Sequence, residues 1–91
     1  MALGLYFQPD NFTSGTYDEV IKRLDAAGAA APEGRLHHFA METDGKISVF
    51  DVWESEETFA KFGETLVPIM AELGADPGQP MVMPIHNIIK G

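Results

Sequence analysis

Residues Leu36–Phe59 read LHHFAMETDGKISVFDVWESEETF. Two strand-like runs flank Asp44-Gly45, and a helix start follows at Ser55. Asp-Gly between apolar, β-rich runs is a strong hairpin signal, because a type I′ turn needs two residues that tolerate positive φ. A two-residue turn pairs Thr43 with Lys46, Glu42 with Ile47, Ala40 with Val49, His38 with Asp51 and Leu36 with Trp53. Opposed residues share a face. One face then carries Leu36, His38, Ala40, Val49, Asp51 and Trp53, and the other His37, Phe39, Met41, Ser48, Phe50 and Val52. A three-residue loop with a bulge at Gly45 is the alternative, and it sets His37 opposite Asp51.

The two faces differ in kind. Phe39, Met41, Phe50 and Val52 make an oily surface suited to packing beneath helices. The His38 face mixes apolar residues with an imidazole, a carboxylate and an indole, a composition that suits a cavity lining. His38 and Asp51 fall at a non-hydrogen-bonded pair, where opposed side chains come closest. A carboxylate there orients the ring and selects its tautomer.

At 91 residues the chain, 1–91, is one domain. So short a chain buries only roughly 60–65 % of the surface its unfolded form exposes, so its core alone is marginal. There is no cysteine to add a disulfide or a thiolate metal site. Self-association is the simplest further source of burial. A net charge of −8, with six Lys plus Arg, argues against nucleic acid and anionic membrane surfaces as partners. No apolar run approaches the roughly 20 residues that span a bilayer. The opening MALGLYFQPD lacks a basic region ahead of a long apolar stretch, so the expected location is the cytoplasm.

Ala2–Gln8 alternates as a strand, with Leu3, Leu5 and Phe7 on the core side and Tyr6 on the more polar side. Pro9–Gly15 is rich in turn formers. Thr16 and Glu19 form a capping-box pattern ahead of a helix whose buried stripe is Tyr17, Val20, Ile21, Leu24 and Ala27, closed by Gly28. Asp18–Lys22, Glu19–Arg23 and Glu57–Lys61 are i,i+4 pairs. The second helix starts at Ser55 with Glu56 and Glu57 in its first turn, carries Phe59, Phe62, Leu66, Met70 and Leu73, and closes at Gly74. Pro68 is expected to kink or restart it. Met81–Ile89 is a last strand, and Pro84 implies an edge position.

The order β-α-β-β-α-β gives an α+β, ferredoxin-like sandwich. Right-handed crossovers place both helices on one face of a four-stranded antiparallel sheet. The expectation is that Tyr6, Leu36, His38, Val49, Asp51 and Trp53 lie on the uncovered face, roofed by the sheet of a second copy.

The run Asp51-Val52-Trp53-Glu54-Ser55-Glu56-Glu57-Thr58-Phe59, with this order of elements, resembles the dimeric α/β-barrel superfamily and, within it, the antibiotic-biosynthesis-monooxygenase-like proteins. Pro84-Ile85-His86-Asn87 is similar to small bacterial members without an assigned activity. The resemblance implies a homodimer. It also implies chemistry within a range that includes cofactor-free oxygenases, isomerases and polyketide cyclases. Some small members carry a His–Asp pair in the cavity, which His38 and Asp51 resemble. Haem-degrading members use a histidine on the second helix, and Ser55–Leu73 contains none, so haem is not expected. No Gly-rich phosphate loop is present, and the histidine spacing carries no metal-ligand signature, so neither cofactor nor metal is expected.

Two functions follow. In the first, His38 is a general base held by Asp51, Trp53, Leu36 and Val49 sandwich a flat apolar or aromatic substrate, and Tyr6 or His86 donates to an oxyanion. In the second, the same dimer binds a small molecule, or supports another protein, without turnover.

Overall fold

The computed structural model describes residues 2–91. The chain runs β1 (Leu3–Phe7), α1 (Ser14–Ala26), β2 (Arg35–Thr43), β3 (Lys46–Trp53), α2 (Glu56–Glu72) and β4 (Met81–Pro84). The strands form one antiparallel sheet in the order β2-β3-β1-β4, the ferredoxin-like arrangement. Asp44 at φ 51° and Gly45 at φ 80° make the two-residue turn. It fixes the expected register from Thr43 opposite Lys46 down to His38 opposite Asp51.

Below His38 the register slips. A bulge between Arg35 and His37 sets Arg35, not Leu36, opposite Trp53. Gly34 immediately precedes this irregularity. Its φ is +90°, and a Cβ there would lie 2.4 Å from the side chain of Thr58, so the position requires glycine. The carbonyl of Gly34 accepts from Glu54 N at 2.8 Å, which ties the start of β2 to the end of β3.

The covered face is the opposite of the expected one. Leu5, Phe7, Val49 and Trp53 pack with Val20 and Leu24 of α1 and Phe62 and Met70 of α2. Asp51, at 4 % exposure, lies on this same inner side. Phe39 instead points outward at 52 % exposure. The cause is β1. Its register brings Leu3, Leu5 and Phe7 to the Trp53–Asp51–Val49 side and only Gly4 and Tyr6 to the Phe50 side. Summed over three strands, the larger apolar area is on the Trp53 side, and the helices cover it.

Four smaller expectations change. Helix α1 is capped by Thr13 rather than Thr16: Thr13 Oγ1 accepts from Thr16 N at 3.3 Å. Phe12, just before the cap, meets Tyr17 edge-on at 6.0 Å, a hydrophobic staple that fixes the entry of the chain. Of the three i,i+4 pairs, Glu19–Arg23 forms among the described residues, at 3.7 Å, and Arg23 also reaches Glu72 at 3.1 Å. Helix α2 runs unbroken through Pro68. Glu64 and Pro68 are exposed, so the carbonyl that loses its partner meets water. Strand β4 ends at Pro84, short of Ile89, and occupies the sheet edge. Ser55 caps α2 as expected, with its Oγ accepting from Thr58 N at 3.2 Å. Ala29 N and Gly28 N close α1 onto Leu24 and Asp25, and Ala75 N and Gly74 N close α2 onto Met70 and Ala71, in the glycine-ended pattern. No helix among the described residues is long and apolar enough to cross a membrane.

Candidate active site

Asp51 sits mid-strand on β3, between Leu5 of β1 and His38 of β2. Both of its oxygens are engaged. Oδ1 lies 2.6 Å from His38 Nδ1, and Oδ2 accepts the indole N–H of Trp53 at 3.2 Å. Trp53 is two residues along the same strand and therefore on the same face. It is fully buried against Phe59 and Phe62, with ring centroids 5.5 and 5.2 Å away. The indole is a rigid support for the carboxylate rather than a cavity wall.

The chain of hydrogen bonds continues. Tyr17 Oη lies 2.6 Å from His38 Nε2. Because indole nitrogen only donates, Oδ2 must accept, and a carboxylate at Oδ1 takes the proton on His38 Nδ1. A neutral His38 then presents a lone pair at Nε2, which accepts from the Tyr17 hydroxyl. A protonated His38 reverses that last bond and donates to Tyr17 Oη. The chain thus has two proton arrangements with the same heavy-atom positions. Burial pushes the Tyr17 phenol above its ordinary value of 10.0; the Arg35 cation opposes this, and the Asp51 and Asp18 carboxylates reinforce it. Tyr17 is held as a neutral phenol at neutral pH.

These groups open onto a cavity of about 60 Å³ between the sheet and the two helices. Its walls are apolar, with Phe7, Phe12, Val49, Phe62, Leu66 and Met70 among them, and its polar groups are Tyr17, His38, Asp51 and Arg35. Almost none of the lining surface is polar: these residues border the space mainly through carbon.

The sequence-predicted residues divide. His38, Asp51 and Val49 come together at the cavity, and Trp53 stands behind Asp51. Leu36 is turned out by the bulge, at 45 % exposure. Tyr6 lies on the other face of the sheet, in a polar surface groove with Gln8, Asn11 and Thr43. His86 is exposed beyond β4 and is not part of the cavity wall. His37 stacks on Phe39 on the outer face, 6.1 Å away. Two residues that reach the cavity, Tyr17 and Arg35, were not legible as site residues. Tyr17 reads as one more member of an apolar helical stripe, although a buried phenol always needs a partner. Arg35 enters through a bulge that leaves no local signature except Gly34. Among the described residues no group of three His, Cys, Asp or Glu side chains is placed to hold a metal ion.

No family model matches this sequence. No curated protein matches it either. Solved structures do. SnoaB, a cofactor-independent oxygenase from Streptomyces nogalater, is similar with a TM-score of 0.62 at 14 % identity, over 99 % of this chain and 96 % of that one. A candidate antibiotic biosynthesis monooxygenase from Chloroflexus aurantiacus J-10-fl gives 0.65 at 18 % identity over 100 % of both chains. The protein NE2512 of unknown function from Nitrosomonas europaea gives 0.57 at 15 % identity, over 99 % of this chain and 94 % of that one. At these identities the likeness speaks for architecture alone: the chain shares the ferredoxin-like fold of these solved structures.

Proposed function

We propose that this protein binds a small apolar or aromatic molecule in the cavity between sheet and helices and removes a proton from it, with His38 as general base and Asp51 as the group that orients and charge-stabilises it. The observation that carries this reading is the continuous chain Tyr17–His38–Asp51–Trp53 ending at an apolar cavity. In the step, a substrate C–H or O–H bond breaks and its proton goes to Tyr17 Oη. The Tyr17 proton passes to His38 Nε2, and the electron pair stays on the substrate as an enolate or phenolate. The imidazolium so formed is stabilised by the Asp51 carboxylate. Such an anion can be reprotonated elsewhere, cyclise, or react with oxygen. An oxygenase outcome draws support from the likeness to SnoaB. Trp53 positions Asp51, and Val49 contributes to the wall. Tyr6, Leu36 and His86 have no part in this chemistry.

The outer face of the sheet supports the homodimer. Phe39, Met41, Met81 and Met83 are exposed there, an apolar surface that a second copy would cover.

The test is solvent-deuterium incorporation into a panel of small carbon acids, followed by NMR. Wild type is expected to catalyse exchange, and His38→Ala to lose it by about 10²–10⁴-fold, the usual worth of a positioned base. A second reading, a binder without turnover, has its own support. No buried side-chain polar atom among the described residues lacks a partner, so the network is already satisfied without a substrate. Binding of a probe with no exchange by the wild type would favour that reading.

A further inference from the structure

At about 60 Å³ the cavity exceeds one water's share of liquid volume, roughly 30 Å³, and falls well short of the roughly 150 Å³ that admits benzene. A substrate with an aromatic ring therefore enters only if part of the wall moves. Most of the wall is fixed. Val20, Leu24, Phe62 and Met70 are buried core residues of the two helices, and Phe7 and Val49 pair across two strands. Two connecting segments remain, one toward each end of the sheet.

Residues 29–34, at the Trp53 end, are tied down. Ala29 N donates to Leu24 O at 2.8 Å, Ala30 O accepts from the Arg35 guanidinium at 2.9 Å, and Gly34 O accepts from Glu54 N at 2.8 Å. Residues 76–80, at the Phe7 end, are held differently. They join α2 to β4, and half-buried Pro77 is their one residue in the cavity wall. Ala75, just before them, is buried and donates to Met70 O at 2.9 Å, so the helix side is a firm anchor. Strand β4, just after them, is a four-residue edge strand with every residue exposed. Between these ends, among the described residues, the segment pairs with the rest of the chain at one place, the isolated antiparallel bridge from Asp76 to Asp10. Its own shape is kept by Gly78 N, which donates to Asp76 Oδ1 at 2.9 Å, and by the fixed φ of Pro77 and Pro80.

Pro9, beside Asp10, borders the cavity from across the bridge. Opposed side chains of an antiparallel pair lie side by side, and like charges there weaken the pair. The catch on this segment is therefore two exposed carboxylates facing each other.

We propose that residues 76–80 form a strap over the cavity, stiff within itself and released at the Asp10–Asp76 bridge, which lifts Pro77 away from Pro9 to admit an apolar molecule the size of an aromatic ring. The size of the guest rests on the substrate class in the general-base reading above; the movement is tested apart from it.

The experiment uses benzene as the probe and an engineered lock. The chain has no cysteine, and opposed residues of an antiparallel pair have Cα atoms about 4.5 or 5.5 Å apart, within the reach of a disulfide. Asp10→Cys combined with Asp76→Cys therefore closes the strap when oxidised and frees it when reduced. Binding is followed by NMR at the indole N–H of Trp53, the chain's one tryptophan, and at the methyl groups of Val49, Leu66 and Met70. Wild type and the reduced variant are expected to bind benzene. The oxidised variant is expected to lose that binding, and dithiothreitol to restore it. Equal binding by the oxidised and reduced forms, or none by the wild type, would overturn the proposal. A second measurement needs no variant. As benzene is added to the wild type, the backbone amides of Gly78 and Gln79 are expected to shift more than those of residues 29–34, and equal or smaller shifts would overturn the proposal. Benzene binding controlled by the disulfide, with no deuterium exchange into any carbon acid, would contradict the base chemistry and support the strap. Exchange by a wild type that binds no benzene would do the reverse.

Discussion

The indole N–H of Trp53 donates to Asp51 Oδ2 at 3.2 Å, two residues along the same strand, and so leaves Oδ1 to His38 Nδ1 at 2.6 Å. One side chain thereby fixes which oxygen the histidine meets. Because Trp53 is fully buried, this support is also part of the core. Replacing Trp53 with Phe keeps an aromatic ring but leaves Oδ2 without its donor. Urea denaturation is expected to show a loss of about 2–3 kcal/mol, chiefly the penalty for a buried acceptor without a partner. A change within a few tenths of a kcal/mol would mean the bond carries no weight.

Asp51→Asn keeps the shape of the site and changes its protons. With the Asn oxygen facing Trp53, its amide nitrogen donates to His38 Nδ1 and pushes the ring proton to Nε2. His38 can then no longer accept from Tyr17. Deuterium exchange should fall by about 10²–10⁴-fold while the protein stays folded, as expected when a base is held in the wrong tautomer. Undiminished exchange would remove Asp51 from the mechanism.

Tyr17 sets an alkaline signature. Burial raises its folded value above the ordinary 10.0, so the unfolded phenol ionises first as pH rises. The neutral phenol's contribution to stability is therefore complete below about pH 10 and is lost as pH climbs through the folded value. Tyrosinate absorbance should show a late phase above pH 10 that is absent in Tyr17→Phe. The same late phase in the variant would assign it elsewhere.

Much of this architecture is written locally. Asp44-Gly45 dictates its own turn, and the turn dictates that His38 meets Asp51. Ser55 and the two glycine-closed helix ends are equally local signals. What escapes a strand-by-strand reading depends on partners distant in sequence. The hairpin alone makes Phe39, Met41, Phe50 and Val52 look like the core side, and only the addition of Leu5 and Phe7 from β1 reverses it. The exchange of Leu36 for Arg35 follows from a bulge that begins just after Gly34, where the backbone passes close to Thr58. Tyr17 shares its helical spacing with Val20 and Leu24, so periodicity cannot separate a hydrogen-bonding phenol from a packing residue.

Gly34 offers a structural test of that bulge. Gly34→Ala combines a left-handed backbone at φ +90° with a Cβ 2.4 Å from Thr58. A loss of about 1–3 kcal/mol in denaturant unfolding is expected from the backbone conformation alone. A neutral substitution would mean the start of β2 adjusts freely.

Phe39→Glu addresses assembly. Phe39 is 52 % exposed on the outer face, where a second copy is proposed to dock. Size-exclusion with light scattering at micromolar concentration should give twice the 9.9 kDa of one chain for the wild type, and one chain's mass for the variant. A wild-type monomer would contradict the dimer.

The most direct measurement concerns a single proton. Long-range proton–nitrogen NMR of the imidazole rings at a pH where His38 is neutral reports which nitrogen is protonated. The proton is expected on Nδ1, toward Asp51, with a bare Nε2 that accepts from Tyr17. A proton on Nε2 in the wild type would contradict it, because His38 could then take no proton from the cavity side.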